Sequence, residues 1–98
     1  WSTGGIFFFK DAAGIVHFEI ESIPSAGSGS TIGTFPAGYR PSASAPPRFW
    51  GGNVTGSAFP GALQGFSVAS TGGVFLVPAG APSIGNKYWV RGSFPAAG

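Results

Sequence analysis

The sequence predicts an all-β fold, a compact antiparallel β-sandwich or small barrel of about six to eight short strands. Three observations lead there. Turn-forming residues recur along the whole chain, with 18 glycines and nine prolines among 98 residues. The longest stretch free of both is residues 15–23, which leaves little room for a helix. That same stretch alternates, with Val16, Phe18 and Ile20 set against His17, Glu19 and Glu21, the period of a strand with one dry face. The glycines follow no period, and 43% of residues are hydrophobic, so the chain is neither collagen-like nor disordered in composition.

Taken in order, Ile6 to Phe9 is a β-prone run, and Lys10 to Gly14 is a turn that joins it to the strand Ile15–Ile23 as a hairpin. Ser25 to Ser30 is a Gly/Ser loop. Thr31 to Phe35 is a short strand, followed by a tight turn from Pro36 to Ser42 that is extended by residues 43–47. Arg48-Phe49-Trp50 is a strand expected to end at Gly51-Gly52-Asn53. Residues 65–70 and 73–77 flank Thr71-Gly72-Gly73 in the strongest hairpin pattern of the chain, with Phe66 and Val68 sharing a face opposite Val74 and Leu76. Pro78 to Pro82 is a turn, and Lys87 to Phe94 is the last strand, with Tyr88, Val90 and Phe94 on one side and Trp89 and Arg91 on the other.

A chain of 98 residues makes one domain, residues 1–98, with a thin core. There is no cysteine, and the single histidine with three carboxylates sets out no metal site of usual form. Oligomerisation is then the expected source of further buried surface. Ten phenylalanines exceed what one thin core needs, so some are expected at a subunit interface. Only 8% of residues are charged and the net charge is +2, too little and too scattered to bind nucleic acid through its phosphates. No run of about 18 apolar residues is present to span a bilayer as a helix. The start at Trp1, without a basic and apolar leader, suggests a piece of a longer polypeptide, with Trp1 packed on a neighbour or on an upstream stalk.

Catalytic signals are weak. His17 is the one neutral-range base, no G-x-S-x-G elbow occurs, and Glu19 and Glu21 lie on one side of one strand instead of flanking a bond. The glycine clusters lack the Lys-Ser/Thr of a phosphate loop, and no cofactor is implied. Asn53-Val54-Thr55 matches a glycosylation acceptor, a motif common by chance. The aromatic residues say more. Trp50 and Trp89 are candidates for a ligand platform, and Arg40 beside Tyr39 and Arg91 near Trp89 supply planar donors next to aromatic faces, a combination suited to polyols and anionic sugars. His17, Glu19 and Asn53 are candidate ligand contacts around them.

The phrase Gly33-Thr34-Phe35-Pro36-Ala37-Gly38-Tyr39-Arg40-Pro41 resembles a G-T-L-P-A-G-Y-R-P segment of phage tail-fibre and minor structural proteins, with Phe35 in place of the usual Leu. Residues 66–74 and 88–94 are similar to later strands of that family. The resemblance implies the tip domain of a tail fibre at the virion surface. It implies a compact β head, usually a homotrimer, joined to an upstream stalk or baseplate protein and recognising host cell-surface saccharide without catalysis. The resemblance does not fix the binding residues. Pro and Gly make Pro36–Pro41 a scaffold turn that positions Tyr39 and Arg40, and recognition is expected in the loops 25–30 and 51–61. The rival readings are a structural trimerisation cap, a free lectin-like module, and, last, a depolymerase tip using Asp11, Glu19 or Glu21.

Overall fold

The computed structural model describes residues 1–25, 27–42, 46–55, 61–78, 80 and 82–97, with residues 2–5 described by their backbone. Seven strands occur among them: β1 (Ser2–Lys10), β2 (Ile15–Ile23), β3 (Thr31–Thr34), β4 (Arg48–Thr55), β5 (Ala62–Val68), β6 (Gly73–Val77) and β7 (Asn86–Pro95). The described residues contain no helix. All seven strands join one sheet in the order β1-β2-β7-β4-β5-β6-β3, and every neighbouring pair is antiparallel. Of the two architectures open to the sequence, the chain takes the curled single sheet, a half-barrel.

The curl is visible in which side chains meet. β1 and β3 are the two edges of the sheet. Even so, Ile6 Cδ1 lies 3.3 Å from where a Cβ on Gly33 would stand, and Phe8 of β1 packs edge-on against Phe35 at 5.4 Å between ring centroids. Strand alternation supplies the inner face: Val16, Phe18 and Ile20 of β2, Phe66 and Val68 of β5, Val74 and Leu76 of β6, and Tyr88, Val90 and Phe94 of β7 are all buried. The registers Phe66↔Leu76, Val68↔Val74 and Ile20↔Val90 set them side by side across strands.

The centre is aromatic. Phe18 is 5.0 Å from Phe49, 5.5 Å from Phe35 and 5.9 Å from Phe94. Gly92 faces inward opposite Phe18, and a Cβ there would strike the ring of Phe49. The missing side chain is what lets Phe49 reach the cluster from β4.

The Pro36–Pro41 phrase closes the open side of the curl. Phe35 is 2% exposed, and its amide donates to Gly72 O at 2.9 Å. Arg40 Nε donates to Phe35 O at 2.8 Å, and Arg40 O accepts from Ala97 N at 2.8 Å. Tyr39 packs edge-on against Phe8 at 5.2 Å, while Lys10 Nζ sits 5.1 Å over the Tyr39 ring and donates to Gly38 O at 2.9 Å. The phrase thus ties β3 to β1, to the β5–β6 hairpin and to the segment after β7.

Three expectations need correction. β4 does not end at Gly51-Gly52-Asn53 but runs to Thr55, because both glycines stay in the ladder, as Gly51↔Gln64 and Gly52↔Leu63. Gly51 cannot carry a side chain, since a Cβ would meet the Trp89 carbonyl and lie 2.9 Å from the Phe66 ring. The expected recognition loop 51–61 shrinks accordingly, for residues 51–55 are strand and residues 56–60 lie outside the described residues. Trp1 packs on its own chain, edge-on to Tyr88 at 5.3 Å with Nε1 donating to Gly29 O at 2.8 Å. Residue 26 of the first loop, residues 43–45 of the extended turn, and residues 79 and 81 of the Pro78–Pro82 turn also lie outside the described set.

Adding a Cβ at Gly51 forces β4 away from β7, so Gly51→Ala is expected to cost about 1–3 kcal/mol or more in urea unfolding. Gly29→Ala meets nothing within 4 Å and is expected to change stability by about 0.5 kcal/mol or less.

Candidate outer-face binding site

The face opposite the core carries the side chains that alternation turns outward. Three cross-strand rows matter. Glu21, Trp89, Gly52 and Leu63 lie side by side on β2, β7, β4 and β5. Trp50, Gly65 and Val77 form the next row, and Arg48, Ser67 and Phe75 the one after it. Trp50 is 71% exposed and Leu63 74%, although both sit within a strand.

Glycine gives this face its relief. Gly52 separates Trp89 from Leu63, and Gly65 stands beside Trp50. A Cβ on Gly65 would lie 3.6 Å from Trp50 Cζ3, so the indole leans over bare backbone. The result is an open groove of about 220 Å3 lined by Trp50, Trp89 and Leu63 over Gly51, Gly61 and Ala62. Across β5 a second groove of about 270 Å3 runs between Arg48, Ser67 and Phe75. A third, of about 230 Å3, lies between Phe7, Phe9, His17 and Glu19 at the β1 edge.

Charges on this face are arranged in cross-strand pairs. Arg91 Nη2 is 3.9 Å from Glu19 Oε1, and Lys87 Nζ is 3.9 Å from Glu21 Oε2. Both pairs are exposed, and such pairs contribute little to stability. His17 stacks on Phe9 at 4.9 Å, and its Nε2 lies 2.9 Å from Asp11 Oδ2. Asp11 Oδ1 accepts from Ala13 N at 2.9 Å and Ile15 N at 3.0 Å, capping the β1–β2 turn. The bond to His17, and then the backbone amides of Ile15 and Ala13, hold the Asp11 carboxyl below its ordinary range.

Five of the eight candidate residues, Trp50, Trp89, Arg91, Glu19 and His17, share the outer face. The other three do not join them. Tyr39 and Arg40 belong to the closing phrase, where Arg40 is committed to Phe35 O. Asn53 faces inward opposite Tyr88, within a chain of amides: Asn53 Nδ2 donates to Gln64 Oε1 at 3.3 Å, Asn86 Nδ2 to Asn53 Oδ1 at 3.3 Å, and Thr55 Oγ1 to Asn86 Oδ1 at 3.0 Å. Among the described residues no three His, Asp or Glu side chains converge as metal ligands would. Sequence reasoning missed Leu63 and Arg48. Leu63 lay in an unassigned stretch, whereas Arg48 could have been found from its i, i+2 spacing to Trp50 on one strand.

The chain matches no known family model, no curated protein and no solved structure.

Because the Asp11 carboxyl titrates lower in the folded chain, it stabilises the fold above its unfolded value and loses that contribution as pH falls through the folded one. Wild type is therefore expected to exceed Asp11→Asn in unfolding free energy at neutral pH, with the gap narrowing once pH drops below the ordinary value of 3.8. Paired urea titrations from neutral to strongly acidic pH check it.

Proposed function

We propose that this domain is the non-catalytic receptor-binding head of a phage tail fibre, recognising host cell-surface saccharide with its outer face. The observation that carries the reading is the groove between Trp50 and Trp89, on the side of the sheet away from the core. Flat indole faces offer sugar C–H surfaces a contact that water does not compete for well, and neighbouring donors then orient the hydroxyls. The Pro36–Pro41 phrase, similar to that of tail-fibre proteins, acts as scaffold in this reading, in keeping with its ties to β1, β3 and the β5–β6 hairpin. A shallow groove binds weakly; a homotrimer on a stalk, repeated over a virion, raises the net attachment through avidity.

A second reading, a structural cap, draws on a different observation. Phe7 and Phe9 are 72% and 62% exposed on the edge strand β1, a surface suited to packing on another copy.

The two separate by experiment. Labelled domain is expected to bind host cells saturably, with free surface polysaccharide competing. Trp50→Ala is expected to weaken binding roughly tenfold or more, about 1.4 kcal/mol, and Tyr39→Phe to leave it unchanged. A folded sample that binds no cell or glycan in a broad panel would overturn the receptor-binding reading and leave the cap.

A further inference from the structure

We infer that the saccharide held by the outer face is anionic, and that Arg48 takes its acidic group. The inference rests on the receptor-binding reading and deepens it. It begins with the charges. The chain has five Lys and Arg residues and three carboxylates. Lys10 is used on Gly38 O and the Tyr39 ring, and Arg40 on Phe35 O. Lys87 and Arg91 face Glu21 and Glu19, while Asp11 faces His17. Among the described residues, Arg48 is the cation with neither an ion pair nor a hydrogen bond.

Its position matches that freedom. Arg48 is two residues from Trp50 on β4 and on the same face, about 7 Å away along the strand. It borders the groove with Ser67 and Phe75, whose walls are otherwise mostly apolar. The bare backbone of Gly65 lies between this groove and the Trp50 groove, so one oligosaccharide can run from the indole to the guanidinium.

The three carboxylates lie on β2 or the turn before it, and β7 separates β2 from β4. Each of these carboxylates already faces His17, Lys87 or Arg91, and none lies within 4 Å of the Arg48 guanidinium. A guanidinium beside an apolar wall is weakly hydrated and forks onto an oxyanion with two parallel bonds. Both a uronate carboxylate and a phosphodiester of a polyol-phosphate chain present that oxyanion.

Binding of the whole domain to three polymers tests this: a neutral glucan, a polyuronate and a poly(glycerol phosphate). The expected result is tighter binding to one or both anionic chains than to the glucan, weakening as salt is raised. Arg48→Gln is expected to weaken the anionic interaction at least tenfold and to flatten its salt dependence, with an unchanged melting temperature. Lys87→Gln removes the same charge away from the groove and is expected to weaken binding twofold or less. Whichever anionic chain responds to Arg48→Gln identifies the acidic group.

Equal losses in Arg48→Gln and Lys87→Gln would overturn the assignment, because the effect would then be net charge alone. A wild type that binds the glucan as well as the anionic chains would overturn it while sparing the receptor-binding reading. Failure to bind all three polymers and a panel of host cells would overturn both.

Discussion

The structure depends on closing a curl that the backbone does not close. Hydrogen bonding joins seven strands in one order, and its ends, β1 and β3, are left to side chains. Phe35 enters between them and touches Phe8, Phe18 and Phe94. The guanidinium of Arg40 holds the carbonyl of Phe35, and the amide of Phe35 holds the β5–β6 hairpin through Gly72. Gly72, at φ +91°, has no room for a side chain, since a Cβ would meet Phe35 O. Without this contact the sheet would expose the inner ring of phenylalanines to water at one side. In a chain with no disulfide, that aromatic junction carries the closure.

Once closed, the half-barrel has two surfaces with separate tasks. The inner one is filled from β2, β5, β6 and β7, with Phe49 admitted by Gly92. The outer one holds grooves because Gly52 and Gly65 keep the sheet floor low between larger residues. Glycine inside a strand usually weakens it. Here Gly51 lies against the core ring of Phe66 and its neighbour Gly52 in the outer floor, so the low β-propensity of β4 goes with its work on both faces.

Much of the fold was legible from alternation. The Ile15–Ile23 strand, the hairpin around Thr71-Gly72-Gly73 and the split of Tyr88, Val90 and Phe94 from Trp89 and Arg91 all follow from period two. The strand through Gly51 and Gly52 was not legible, because local signals read a glycine pair as a stop and only the neighbours on β5 and β7 make it a strand. The site was half legible. Parity along one strand places Trp89 with Arg91, and Glu19 with His17. Which strands lie next to each other is a property of the 1-2-7-4-5-6-3 order, so the meeting of Trp89 with Trp50 and Leu63 could not be read locally. Tyr39 and Arg40 carry the marks of a binding pair in sequence, yet they serve closure, and stacking for packing looks the same as stacking for a ligand until the partners are seen.

Alternation along β4, β5 and β7 also bears on how such a domain can diversify. Trp50, Arg48, Leu63 and Trp89 each point away from the residues that hold the fold, and each is followed along its strand by one that points in. Exchanges at the outward positions leave the inward ones untouched, so their effects on stability should be small. A lineage can then vary the chemistry of these four positions while one unaltered chassis of phenylalanines and glycines passes from variant to variant.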